Sequence, residues 1–337
     1  MTTHAHSETF LRSWLVKQGL SAELRIQLLL GDGSTRCFYR VTDSTASWIL
    51  ISDPEWKQSQ DYSPHQKALA AAQLPVPQFR HVDPATGLLL MEDLGDELLQ
   101  LRIQKRPLEG PEWLTKAAEL LAHLHGKLYP VPKTLPIAAR RFDAEKYFQE
   151  LCFTLEHLRG GFLGLSPLPQ KTLQVIRAWC EELERLRPEV FCHRDYHCRN
   201  IIVHQERLSL IDFQDARLGP PAYDLASLVF DAYTPMTPDL RTKLINTYRN
   251  TLEAYPISQH VSWEQFQPDL MRVAYQRTLK AAGSFASFWT RNKKKTHLQY
   301  IEPALRLAQL SEAAGVIPSA VAAAFEIDTM LKTLHEK

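Results

Sequence analysis

Three side chains in one short stretch could carry chemistry together: Asp195, Asn200 and Asp212, all within residues 191–215, F-C-H-R-D-Y-H-C-R-N-I-I-V-H-Q-E-R-L-S-L-I-D-F-Q-D. A carboxylate such as Asp195 can orient a hydroxyl and accept its proton. The amide oxygen of Asn200 and the carboxylate of Asp212 are hard donors that can share magnesium across nucleotide phosphates. The set suits transfer of a phosphoryl group to an alcohol.

The spacing is specific. His193-Arg194-Asp195 is followed after four intervening residues by Asn200, and then by Ile211-Asp212-Phe213, the order of the catalytic-loop and metal-binding signature of kinases. The elements that must position these groups are legible nearby. Asn200-Ile-Ile-Val-His and Leu208-Ser-Leu-Ile-Asp-Phe are short apolar runs separated by the polar Gln205-Glu206-Arg207, a hairpin pattern that returns Asp212 towards Asn200.

Upstream, Phe10, Leu11, Trp14 and Leu15 recur at helical spacing over 7–20, with Ser7 as cap and Gly19 near the end. A strand from Ile26 leads into the turn Gly31, Asp32, Gly33, Ser34, Thr35 and Arg36, then a second strand. Glycines without Cβ let backbone N–H groups approach phosphate oxygens, although an ordinary hairpin turn uses the same residues. A third strand, Trp48-Ile-Leu-Ile-Ser, has Ser52 and Asp53 where a kinase carries its phosphate-binding lysine, and the helix expected over 63–73 contains no glutamate. The joint loss is coherent, because a buried glutamate without its lysine would be costly. Phosphates are therefore expected to be held by magnesium and the backbone of 31–35, with help from Arg36 or Lys57. Residues 78–82 and 87–91 read as a strand pair, and 91–95 as a hinge whose backbone near Glu92 and Leu94 would meet an adenine ring.

Downstream the pattern is helical: a helix from Gly110 ending at Gly126, then helices over 142–158 and 169–186 with Gly160-Gly161 as a flexible break. His123 and His125 read as packed or surface helix residues rather than metal ligands. A further helix starts near Pro220, where Asp224 can accept backbone N–H groups from neighbouring loops. Helices over 237–254, 263–288, 297–312 and 319–335 close the chain. The basic run Arg291-Asn-Lys-Lys-Lys reads as a solvated loop.

With 39 basic and 38 acidic residues in 337, the formal charge is +1, so no global field recruits nucleic acid or an anionic membrane. Five cysteines, an odd number with no C-x-x-C pair, argue against a disulfide framework or zinc site and for reduced thiols. No run is long enough to span a bilayer and no leader pattern opens the chain. The expectation is a cytoplasmic protein with no obligatory protein partner.

Laid end to end, the chain resembles the aminoglycoside phosphotransferase family. The resemblance rests on Gly31-Asp-Gly-Ser-Thr-Arg ahead of Tyr39-Arg40-Val41, Leu90-Met-Glu-Asp-Leu-Gly-Asp, His193-Arg-Asp-Tyr-His-Cys-Arg-Asn, Ile211-Asp-Phe-Gln-Asp-Ala, and Tyr223-Asp-Leu-Ala-Ser-Leu. Within the family it is similar to the anomeric sugar kinases acting on N-acetylmuramate and N-acetylglucosamine in cell-wall recycling, a likeness extended by Gln276-Arg-Thr-Leu-Lys. The resemblance implies an α+β, bilobal, protein-kinase-like fold. A small, mainly antiparallel β N-lobe with a helix would cover 1–93 and bind nucleotide, and a larger, mainly helical C-lobe would cover 94–337. It implies ATP and Mg2+ as cofactors, Asp195 as catalytic base, Asn200 and Asp212 as metal ligands, and Glu150, His197, Arg199 and Arg277 as substrate candidates. Other readings are an aminoglycoside or small-alcohol phosphotransferase and an inactive nucleotide-binding pseudokinase. A protein kinase fits poorly, since only 213–223 separate Asp212 from Asp224.

Overall fold

In a computed structural model the described residues are 6–29, 36–53 and 61–336. The turn at 31–35 and Lys57 lie outside them. The chain divides into two compact units, Met1–Leu98 with Ile201–Asp215, and Leu99–Asn200 with Ala216–Lys337.

The first unit is built on a five-stranded antiparallel sheet of β1 (Arg25–Leu29), β2 (Cys37–Thr42), β3 (Ser47–Ser52), β4 (Phe79–Asp83) and β5 (Leu88–Glu92), in the order β1-β2-β3-β5-β4. Helix α1 (Glu8–Lys17) is capped by the Ser7 hydroxyl, which accepts the Phe10 N–H. Its Leu11, Trp14 and Leu15 bury against Tyr39 and Val41 of β2, Leu50 of β3, and Leu88 and Leu90 of β5, residues that the strand period turns to one face of the sheet. Helix α2 spans Tyr62–Ala71. Arg40 of β2 grips the segment after β5, donating to Asp93 at 2.7 Å and Asp96 at 2.6 Å. Two sequence motifs that lie far apart in the chain are thereby tied together.

The expected hairpin is present. Strands β7 (Ile201–His204) and β8 (Arg207–Leu210) pair antiparallel through Gln205 and Glu206, both at positive φ, the backbone that a two-residue hairpin turn demands. The hairpin docks in the first unit through Val203 N–H to the Glu97 carbonyl and Leu210 N–H to the Pro75 carbonyl, each at 2.8 Å. Phe213 beyond it packs against Tyr62, with ring centroids 4.6 Å apart.

The second unit is helical: α3 (Leu99–Lys105), α4 (Gly110–Lys127), α5 (Ala144–Thr154), α6 (Gln170–Glu184), α7 (Pro221–Val229), α8 (Pro238–Leu252), α9 (Trp263–Asn292), α10 (Ile301–Glu312), α11 (Ser319–Phe325) and α12 (Ile327–His335). A short ribbon of β6 (Val190–Cys192) and β9 (Arg217–Gly219) flanks the catalytic stretch. Neither this ribbon nor α3 is anticipated by periodicity, because three-residue strands and a seven-residue helix are too short to establish one.

Three local expectations are corrected. Gly126 does not end α4. It sits inside the helix where a Cβ would fall 2.2 Å from the Tyr255 ring, so the glycine makes room for a neighbour. Gly160-Gly161 is not a break, since α5 continues as a π-helix over Leu155–Phe162. The stretch 319–335 is two helices, parted at Glu326 by a left-handed backbone, φ +50°.

Candidate active site

In the first unit, Asp212 follows β8 at φ +64°, a strained conformation for a non-glycine residue and one that clusters at functional sites. Its Oδ1 accepts from the Arg36 guanidinium at 3.1 Å and from Gln214 Nε2 at 3.0 Å. The second oxygen has no partner among the described residues. Arg36, a candidate for phosphate contact, is buried over the Phe38 ring and orients this carboxylate. At the end of β5, the Glu92 N–H and carboxylate are both engaged with the Gln78 backbone. The Leu94 carbonyl accepts from His204 Nδ1 at 3.0 Å, while the Leu94 N–H has no partner among the described residues, leaving one open donor of the kind an adenine nitrogen can use.

In the second unit the loop after β6 is pinned from below. Arg194 stands at φ +78°, and fully buried Asp224 of α7 accepts the His193 N–H at 2.6 Å and the Arg194 N–H at 2.8 Å. This is the acceptor role read from the sequence. His125 of α4 hydrogen-bonds Asp224 at 3.3 Å and the Tyr248 hydroxyl at 2.8 Å, so it is a packed residue as expected. Tyr196 is wholly buried and donates its hydroxyl to the Ala117 carbonyl at 2.8 Å. Asn200 donates its amide to the Asp195 carbonyl at 3.0 Å, which directs its Oδ1 away from that contact. Asn200 here and Asp212 in the first unit each keep an oxygen with no partner among the described residues, a hard donor of the type Mg2+ takes.

Asp195 meets a cationic face of α9. Lys280 Nζ lies 2.7 Å from Asp195 Oδ1, and the Arg277 guanidinium 3.9 Å from the same oxygen. Burial would raise the Asp195 pKa, but Lys280, Arg194 and Arg277 together hold it well below the ordinary range. Lys280 is the main residue that the sequence reading missed. A signal existed, since Gln276, Arg277 and Lys280 share one face of a helix, but nothing local said that this face meets Asp195.

Beneath lies a second ion network centred on Glu150 of α5, which accepts from Arg194 at 3.2 Å, Lys146 at 3.3 Å and Gln276 at 3.1 Å. Burial opposes its ionisation, yet the charges of Lys280, Arg194 and Lys146 keep its pKa low. Glu150, a substrate candidate from resemblance, is thus a buried brace with both oxygens engaged by protein groups.

His197 and Arg277 do reach the pocket beside Asp195, a cavity of about 70 Å³ also lined by Asp231, Tyr233 and Lys280. His197 Nδ1 accepts the Arg199 N–H at 3.3 Å. Burial, reinforced by Arg277, pushes its pKa down to about 3, so the ring is neutral and Nε2 carries the proton. Arg199 instead stacks over Tyr233 at 4.7 Å and donates to His297 at 3.2 Å, bracing the aromatic wall. Asp231, also missed, accepts the N–H groups of Cys198 and Tyr233.

Residues 25–257 match the model of the phosphotransferase enzyme family. The chain belongs to that family. Among curated relatives of this phosphotransferase is the N-acetylmuramate/N-acetylglucosamine kinase of Caulobacter vibrioides, 26% identical, with 89% of this chain and 91% of the relative covered. Among solved structures, an ethanolamine kinase from Plasmodium vivax superposes with a TM-score of 0.61 at 16% identity, covering 94% of this chain and 93% of the other. An ADP-bound aminoglycoside phosphotransferase, APH(2'')-Ib, gives 0.58 at 15% identity, covering 90% and 97%. The fold is therefore α+β and protein-kinase-like, as the motifs implied.

Proposed function

We propose that this phosphotransferase moves the γ-phosphoryl group of ATP to the anomeric hydroxyl of an N-acetylated amino sugar, N-acetylmuramate or N-acetylglucosamine, in the cytoplasm as part of cell-wall recycling. The names of its curated relatives support the acceptor. The observation that carries the reading is the pocket in which an ionised Asp195 meets Lys280, Arg277, neutral His197 and Asp231. Asp195 would orient the sugar hydroxyl and take its proton as the oxygen attacks phosphorus. Asn200 and Asp212 would hold Mg2+, which when bound neutralises phosphate charge. The open Leu94 N–H would receive the adenine ring.

The pocket speaks against a polycationic acceptor, because Lys280 and Arg277 already place two positive charges around Asp195. It also speaks against an inactive nucleotide binder, since each reactive group has the partners that fix it. The test is ADP release across N-acetylmuramate, N-acetylglucosamine, glucose and kanamycin, with the methyl glycoside of the best sugar as control. The free amino sugar should be turned over and its methyl glycoside, whose anomeric oxygen is blocked, should not. Equal turnover of the glycoside would sink the regiochemistry, and preference for kanamycin the substrate class.

A further inference from the structure

The sequence lacks the lysine that a kinase's third strand offers to nucleotide phosphates, carrying Ser52 and Asp53 there, yet a lysine stands beside the base. We propose that Lys280 is a catalytic residue that donates to the phosphoryl group while it passes to the acceptor. The inference rests on the phosphotransfer reading above and extends it to a residue on α9.

Position comes first. Lys280 Nζ is 2.7 Å from Asp195 Oδ1, and an attacking hydroxyl that takes its place on that oxygen lies within hydrogen-bond reach of it, so the two are then at most about 6 Å apart. The phosphorus bonds to that hydroxyl oxygen. The ammonium is therefore a near neighbour of the phosphoryl oxygens whatever the orientation of the rest of the nucleotide.

Donor capacity is second. An ammonium has three N–H groups, and Asp195 is the only hydrogen-bond partner of Lys280 among the described residues. Charge is third. Lys280 also stabilises Glu150 through space, but Glu150 has ion-pair partners of its own in Arg194 and Lys146, and Asp231 has two backbone N–H groups, whereas the Asp195 carboxylate faces both Lys280 and Arg277. A cation pressed this closely on a base lowers its basicity, which has no use if the cation serves only as its counter-ion. It is useful if an arriving hydroxyl takes its place on Asp195 and the ammonium turns to the incoming phosphoryl oxygens, where fixed positive charge stabilises the transition state.

The step balances simply. The hydroxyl proton goes to Asp195, the oxygen–phosphorus bond forms, and the bond from the γ-phosphorus to the bridging oxygen breaks with its electron pair leaving on ADP. Lys280 keeps all its protons.

The experiment compares wild type with Lys280→Met and Lys280→Ala. The proposal expects kcat to fall by roughly 10²–10³-fold, the loss typical of removing one preorganised donor, with sugar KM changed less than about threefold. Added ethylamine should partly restore Lys280→Ala. By calorimetry, aluminium fluoride should tighten ADP and sugar binding in the wild type and not in Lys280→Met, while ADP alone binds both equally. A kcat within threefold of wild type, a loss confined to sugar KM, or unchanged aluminium fluoride tightening would each overturn it. If the variants fail to fold, labelling of wild-type Lys280 by an amine-reactive reagent decides. It should be slower with sugar, ADP and aluminium fluoride than with sugar and ADP, and equal rates overturn the proposal. The same ratios measured on slow ATP hydrolysis without sugar separate the two readings, since a wild type silent on sugars with Lys280-dependent hydrolysis would refute the acceptor and keep the lysine.

Discussion

Asp224 Oδ1 accepts the backbone N–H of Arg194 at 2.8 Å, and Arg194 is the residue held at φ +78°. The carboxylate on α7 thus fixes a backbone turn that the residue itself disfavours, and that turn aims Asp195. Asp224→Ala removes the acceptor of the His193 and Arg194 N–H groups, at about 1–3 kcal/mol each. Chemical denaturation should show a loss of at least about 2 kcal/mol, and kcat should fall with it; an unchanged midpoint would contradict this anchoring.

Arg194→Gly sets two effects against each other. Glycine relieves a left-handed backbone worth about 1–2 kcal/mol, but it removes a cation from buried Glu150, and breaking a buried pair costs about 3–5 kcal/mol. Because Glu150 keeps Lys146 and Gln276, the net should be a destabilisation of about 1–3 kcal/mol, read from urea midpoints. A stabilised variant would mean that strain outweighs the ion pair.

Asp195→Asn retains shape but loses charge and basicity. Turnover should drop by roughly two to four orders of magnitude with nucleotide affinity nearly intact. Asp212→Asn should instead weaken both magnesium–ATP affinity and turnover. Calorimetry and steady-state rates on the two variants side by side check the assignment, and near-wild-type turnover in Asp195→Asn would move the base elsewhere.

Gly283 of α9 lies so close to α5 that a Cβ would fall 2.4 Å from Thr154 Oγ1 and 2.5 Å from Thr154 Cα. Gly283→Ala must push apart the two helices that carry Glu150 and Lys280. Destabilisation of about 1–3 kcal/mol is expected, together with a lower kcat, whereas an exposed Gly164→Ala should leave kcat unchanged.

Acid should act through Glu150. Its folded pKa lies below the ordinary 4.5, so the stability it contributes is fully present above that value and is lost as pH falls through the folded pKa. Asp231, whose pKa burial raises, has the opposite sign and is relieved by protonation. The melting temperature of Glu150→Gln should therefore trail wild type most above pH 4.5 and converge on it in acid. A gap that widens on acidification would contradict the sign.

By itself the sequence determined the parts whose signals are local. Asp195, Asn200 and Asp212 stand at fixed offsets within one loop and one hairpin, and the β7–β8 turn, the Ser7 cap and the amphipathic helices follow from neighbouring residues and their periods. Tertiary structure decided everything that depends on which faces meet. Lys280 lies 85 positions from Asp195, and only the packing of α9 against α5 and the catalytic loop brings its ammonium onto the carboxylate. The same cause turned Glu150 from a substrate candidate into a buried brace and Gly126 from a helix end into a seat for Tyr255. Side-chain spacing within a helix gives its apolar face, but the partner of a polar group on that face is set by long-range contacts that no local pattern encodes.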